Sequence, residues 1–139
     1  MEPFVLDASV TLPWCFDDEA NAYTEELLNW CAAGTNAYVA PVWPLEITNI
    51  LLQAQRKGRV NEERIEQFME VLLRLSIHIE PLSTEETIRQ VRRLAKTHQL
   101  TSYDAAYLAV ALRKNLPLAT QDADLRIAAL AAGVRLVEP

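Results

Sequence analysis

The sequence predicts an α/β fold: a three-layer sandwich whose small, mainly parallel β-sheet of four or five strands is flanked by about six or seven helices. Two observations carry that reading. Short apolar runs alternate along the chain with longer segments whose apolar residues recur at helical spacing, the pattern of strand–helix units wound around a parallel sheet. The chain also has 139 residues, only three glycines, and no repeat, low-complexity tract or Gly/Ser linker, so one domain spanning 1–139 is expected.

The elements follow in order. "FVLD" (Phe4–Asp7) is a short apolar run ending in an acid and reads as a buried strand. "SVTLPWCF" is a short helix broken near Pro13, and an amphipathic helix over Asn21–Ala33 stops at Gly34. "AYVAP" (Ala37–Pro41) is a second buried strand. Pro44 then suits the first turn of a helix, "PLEITNILLQAQRKG", that ends at Gly58. Ile65, Phe68, Met69, Leu72 and Leu73 define one face of a helix over Asn61–Leu75, and "IHIEPL" (Ile77–Leu82) alternates as a strand does. Ser83 and Thr84 ahead of Glu86 and Thr87 give the next helix an N-terminal capping signature. A helix over Ser102–Lys114, a strand in "LPLAT", a helix over Ala123–Ala132 and a final strand in "VRLVEP" complete the chain.

Composition narrows the function classes. No apolar run approaches the roughly 18–20 residues of a membrane span, and the acidic N-terminus "MEPFVLDASV" does not read as a signal peptide, so a cytoplasmic location is expected. Cys15 and Cys31 lack metal-ligand spacing and are expected to be reduced thiols. A net charge of −6 argues against a long-range field that gathers nucleic acid, and suits a partner with a basic segment. His78 and His98 have no motif partner, and no phosphate-binding glycine loop, GxSxG elbow or Cys–His pairing is present.

The acids are the informative residues. Asp7 closes the first strand, Glu46 lies in the first turn of the helix after the second, and Asp122 follows "PLAT" just before a helix. In a parallel sheet all three reach the edge where open α/β sheets bind ligands. Asp104 lies in the first turn of "TSYDAAYLAVAL", a helix apolar all round, where an unpartnered carboxylate costs several kcal/mol. Each acid taken singly also reads as a helix cap, since carboxylates complement free N–H groups and the helix dipole. Four converging without a counter-charge would repel, and a divalent cation resolves that repulsion. An all-oxygen donor set selects Mg²⁺ or Mn²⁺ over zinc.

"VLDASV", "PLEITNIL", "SYDAAYLAVA" and "LATQDADL", in this order over Phe4 to Val137, resemble the four acidic motifs of PIN domains, and most closely those of VapC-type toxins of toxin–antitoxin pairs. The resemblance implies a metal-dependent endoribonuclease that leaves 5′-phosphate and 3′-hydroxyl ends. It makes Asp7, Glu46, Asp104 and Asp122 the acids that bind one or two Mg²⁺ or Mn²⁺ ions, with Asp124 sharing or replacing the role of Asp122. Ser9 and Thr120 match supporting polar positions. It also implies a cognate antitoxin lying in a groove of the toxin, for which the helices at Asn21–Ala33 and Asn61–Leu75 are candidate walls, and a homodimer or larger toxin–antitoxin assembly.

RNA would be held by cations. Arg56, Lys57 and Arg59 end one helix, and Arg89, Arg92, Arg93 and Lys96 recur along another. Both sets also read as solvated faces, with Glu85 pairing with Arg89. Trp14 and Trp43 flank the first two motifs, as core packing or as stacking surfaces for a base. Two alternatives are a catalytically silent PIN-like binding module and another Mg²⁺-dependent α/β phosphohydrolase or receiver. The latter pair fits poorly: Ser9 stands where a phosphatase needs a second Asp, and a receiver needs a second acid beside Asp7 and a late Lys.

Overall fold

The computed structural model describes residues 1–139. Four parallel strands, β1 (Phe4–Leu6), β2 (Ala37–Val39), β3 (Ile77–Ile79) and β4 (Leu118–Ala119), form one sheet in the order β3-β2-β1-β4. The helices are α1 (Ala8–Thr11), α2 (Ala22–Ala32), α3 (Trp43–Arg56), α4 (Glu62–Arg74), α5 (Thr84–Glu86), α6 (Arg92–His98), α7 (Ser102–Lys114) and α8 (Ala123–Ala131). A π turn over Thr87–Val91 joins α5 to α6, so the two act as one rod and seven helical rods flank the sheet. This is the α/β architecture expected. No helix is long and apolar enough to cross a membrane.

Local chemistry sets the element boundaries. Asn21 and Ser83 each close a reciprocal capping box at the start of α2 and α5, Asn61 caps α4, and Thr101 caps α7 by accepting the Asp104 N–H. Pro44 sits in the first turn of α3, where its missing N–H costs nothing. The broken segment near Pro13 is α1 followed by a 3₁₀ turn over Leu12–Trp14.

The expected fifth strand in "VRLVEP" is reduced to a single bridge, Leu136 to Leu118. Leu118 donates to Arg135 O and accepts from Val137 N at 2.9 Å each; β4 is only two residues long and offers no further ladder to pair with. The strand expected over Ile77–Leu82 stops at Ile79 and lies on the sheet edge, partly exposed.

A cluster of 33 buried apolar residues forms the core. Its centre is α7, buried continuously from Ala105 to Ala111 and packed on β1, β2, β4, α6 and α8. A helix enclosed on every side needs no polar face, which accounts for its composition. Trp14 and Trp43 are both core residues; their indole N–H groups donate to Thr24 O and Thr11 Oγ1. Cys15 and Cys31 are buried free thiols.

Candidate metal centre

Parallel pairing of β2, β1 and β4 puts their carboxyl ends on one edge, and the acids arrive there from the elements that follow. Asp7 succeeds β1, Glu46 lies in the first turn of α3 after β2, and Asp122 is the N-cap of α8 after β4. Asp104, in the first turn of α7, joins them from the helix beneath the sheet.

Hydrogen bonding separates caps from the rest. Asp122 does cap its helix, its Oδ2 accepting Leu125 N–H at 2.8 Å. Asp7 occupies the N-cap position of α1 but makes no side-chain cap bond. Glu46 uses Oε1 for the Tyr107 hydroxyl, at 2.5 Å, and the cap of α7 is Thr101 rather than Asp104. Three of the four carboxylates are therefore placed for something other than helix termination.

Asp7 is the most enclosed, 5% exposed, and both of its neighbouring hydroxyls converge on one oxygen. Oδ2 accepts from Thr120 Oγ1 at 2.6 Å and from Ser9 Oγ at 2.8 Å. Thr120 Oγ1 in turn accepts Asp122 N–H at 3.1 Å, and Ser9 Oγ accepts Gln121 N–H at 2.9 Å. Each hydroxyl thus accepts a backbone N–H and has its own proton available for Asp7, and the two hydroxyls lie 3.3 Å apart. Oδ1 has no side-chain donor, and the Ala8 N–H is the backbone donor at this carboxylate.

The electrostatics show the convergence. Burial raises the Asp7 carboxyl above its ordinary range, against the pull of Thr120 and Ser9, with Asp122 adding repulsion. Burial also raises Glu46, which feels Asp7 and Asp104. Asp104 is pushed up to about 6, first by burial and then by the charges of Asp122, Asp7 and Asp124. None of these acids belongs to any ion pair of the molecule. The donor set is therefore all oxygen, mutually repelling and without a protein counter-charge, which fits a hard divalent cation. No three of the groups are drawn together into a ready side-chain ligand cluster.

The proposed RNA-binding cations lie elsewhere. Arg56 is ten residues beyond Glu46 on α3, about 15 Å along the helix axis. Arg59 is held by Asp18 at 3.0 Å and Glu19 at 2.6 Å and covers the Phe16 ring, while Lys57 is exposed beside it. Arg92, Arg93 and Lys96 lie exposed on α6, with Arg92 donating to Ile88 O, and Glu85 pairs with Arg89 at 3.2 Å. Asp124 is exposed at the second position of α8.

Two residues of the site carried no sequence signal of their own. Tyr107 reads as one more apolar residue of α7, yet its hydroxyl fixes Glu46. Gln121, between Thr120 and Asp122, donates from Nε2 to Ser9 O at 2.7 Å. Beside the site, an apolar groove of about 520 Å³ runs between α3 and α4, lined by Trp43, Ile47, Leu51, Phe68, Leu72 and Ile79 among others. The helix at Asn61–Leu75 forms one side of this groove and α3 the other, while the helix at Asn21–Ala33 turns Leu27 and Cys31 into the core.

Comparison with known proteins agrees with this geometry. The chain is similar to PAE2754 from Pyrobaculum aerophilum (TM-score 0.69, 23% identity, covering 91% of this chain and 84% of that one). It is similar to VapBC2 from Rickettsia felis, solved bound to a DNA fragment from their promoter (TM-score 0.65, 13% identity, 97% of each chain). A third similar structure is FitAcB from Neisseria gonorrhoeae (TM-score 0.62, 20% identity, 98% and 97%). No curated protein matches the sequence significantly. The PIN domain family model matches residues 4–130, nearly the whole chain, and with acids following β1, β2 and β4 on one sheet edge, the protein belongs to the PIN domain family.

Proposed function

We propose that the protein is a Mg²⁺- or Mn²⁺-dependent endoribonuclease, built as one PIN domain over residues 1–139, and the toxin of a toxin–antitoxin pair. The observation that carries this reading is the convergence of Asp7, Glu46, Asp104 and Asp122 at the carboxyl edge of the sheet with no cation of the protein among them. Family membership supports nuclease chemistry, and the VapBC2 and FitAcB likenesses agree with the VapC-like motifs in supporting the toxin role.

Asp7, Asp104 and Asp122 would hold the ion, with Glu46 facing them and Asp124 at the rim. When bound, such an ion neutralises the acids, polarises the scissile phosphate and supplies an activated water. The residues of the chain do the rest. Ser9 and Thr120 donate to Asp7 Oδ2 and offset part of the cost of its charge, leaving Oδ1 without a side-chain donor. Tyr107 holds Glu46 against α7, leaving Oε2 as its free oxygen and a candidate proton acceptor. Arg56, Lys57, Arg92, Arg93 and Lys96, all exposed, would contact flanking phosphates rather than the scissile one. The α3–α4 groove is the proposed seat of the antitoxin, whose basic segment would suit a chain of net charge −6.

The test is cleavage of a panel of structured RNAs by the purified protein. Cleavage that requires Mn²⁺ or Mg²⁺ and stops with EDTA is expected, and no cleavage under any metal condition would sink the reading.

A further inference from the structure

Gln121 is exposed, yet its side chain is bonded at both ends. Nε2 donates to Ser9 O at 2.7 Å, and Oε1 accepts from Asn21 Nδ2 at 2.7 Å. Its backbone N–H donates to Ser9 Oγ at 2.9 Å. Three separate segments meet here: the start of α1, the N-cap of α2 and the β4–α8 loop.

The direction of every bond is dictated from the ends. Asn21 caps α2, so its Oδ1 is taken by Thr24 N–H at 2.9 Å and only its NH₂ can face Gln121. Gln121 must then show Asn21 its oxygen and Ser9 its NH₂, which the Ser9 carbonyl can only accept. With Gln121 N–H on Ser9 Oγ, the Ser9 proton is left for Asp7 Oδ2. A chain of side-chain bonds therefore runs from the cap of α2 to the backbone of Ser9, whose hydroxyl in turn contacts the most buried acid of the site. Water would satisfy both exposed amides about as well, so the relay adds little stability and its effect is on orientation.

We infer that Gln121, backed by Asn21, is a positioning residue: it holds Ser9 so that its hydroxyl joins Thr120 on Oδ2 of Asp7, steadying the carboxylate for a cation. This rests on the reading of the site as a divalent-metal centre. Outer-shell partners of this kind change metal affinity by about 10–100-fold.

Two variants test it. Asn21→Asp keeps the α2 cap, because Asp caps as well as Asn, but has no donor for Gln121. Gln121→Ala removes the relay's middle. In metal-free Asn21→Asp, faster backbone hydrogen exchange at Gln121 and Asp122 is expected with a nearly unchanged melting temperature. In both variants Mn²⁺ titration should show affinity weakened about tenfold, and kcat should fall while KM for RNA holds. Unchanged Mn²⁺ affinity in both variants overturns the positioning role and leaves the metal reading intact, even if exchange has quickened. A wild-type protein that binds no Mn²⁺ overturns the metal reading, and the positioning role with it.

Discussion

The two sides of the acidic cleft are built differently. On the β1–β4 side, Asp7 and Asp122 are tied by two hydroxyls, two backbone N–H groups and the Gln121 amide into one network with defined donors and acceptors. On the α3–α7 side, Glu46 has one hydroxyl partner and Asp104 no side-chain donor beyond the neighbourhood of Thr101. The first side holds its geometry before any ligand arrives. The second has fewer donors to offset its charge, and Asp104 is pushed up to about 6 by burial and then by the charges of Asp122 and Asp7. On the proposed metal reading, the preset half would fix where an ion sits, and the charged half would supply the drive to bind it.

The largest effect is expected from breaking the preset half at its centre. Asp7→Asn keeps the size of the side chain but removes the charge, and Mn²⁺-dependent RNA cleavage should fall below detection while circular dichroism stays that of the folded protein. Thr120→Val is the next step down. Thr120 is fully buried and its hydroxyl serves both Asp7 and Asp122. Losing a hydrogen bond to a charged group should cost about 1.5–3 kcal/mol in urea denaturation, and cleavage should fall about 10–100-fold.

The charged half makes a prediction of opposite sign. The folded protein holds the Asp104 proton more tightly than the unfolded chain, whose value is near 3.8. The stability tied to that proton is therefore complete below the unfolded value and is lost as pH rises through about 6. Metal-free Asp104→Asn escapes that loss and should melt higher than wild type at neutral pH, by a few degrees in calorimetry. If it melts lower, Asp104 is a structural acid and the contrast between the two halves fails. The smallest effect belongs to Arg59→Ala. Its ion pairs with Asp18 and Glu19 are exposed and screened by solvent, so the urea denaturation midpoint should barely move, and Mn²⁺ affinity should not move at all.

Much of this was legible in the sequence because position carried it. Acids placed just after strand-like runs converge whenever the sheet is parallel, and the capping residues Asn21, Ser83 and Thr101 mark helix starts by local chemistry alone. What escaped depends on partners distant in the chain. Tyr107 is indistinguishable from a core residue until Glu46, 61 residues away, is brought to its hydroxyl. Gln121 is one polar loop residue until Ser9 and Asn21 close on it. The fifth strand failed for a related reason: "VRLVEP" has strand composition, but its neighbour β4 is too short to extend a ladder.

The most direct test of the central claim is a calorimetric titration of Mn²⁺ into wild type and Asp104→Asn at neutral pH. Saturable binding by the wild type, released by EDTA and lost in the variant, is the result expected of a carboxylate metal centre. Equal binding by both proteins, or none by either, would contradict it.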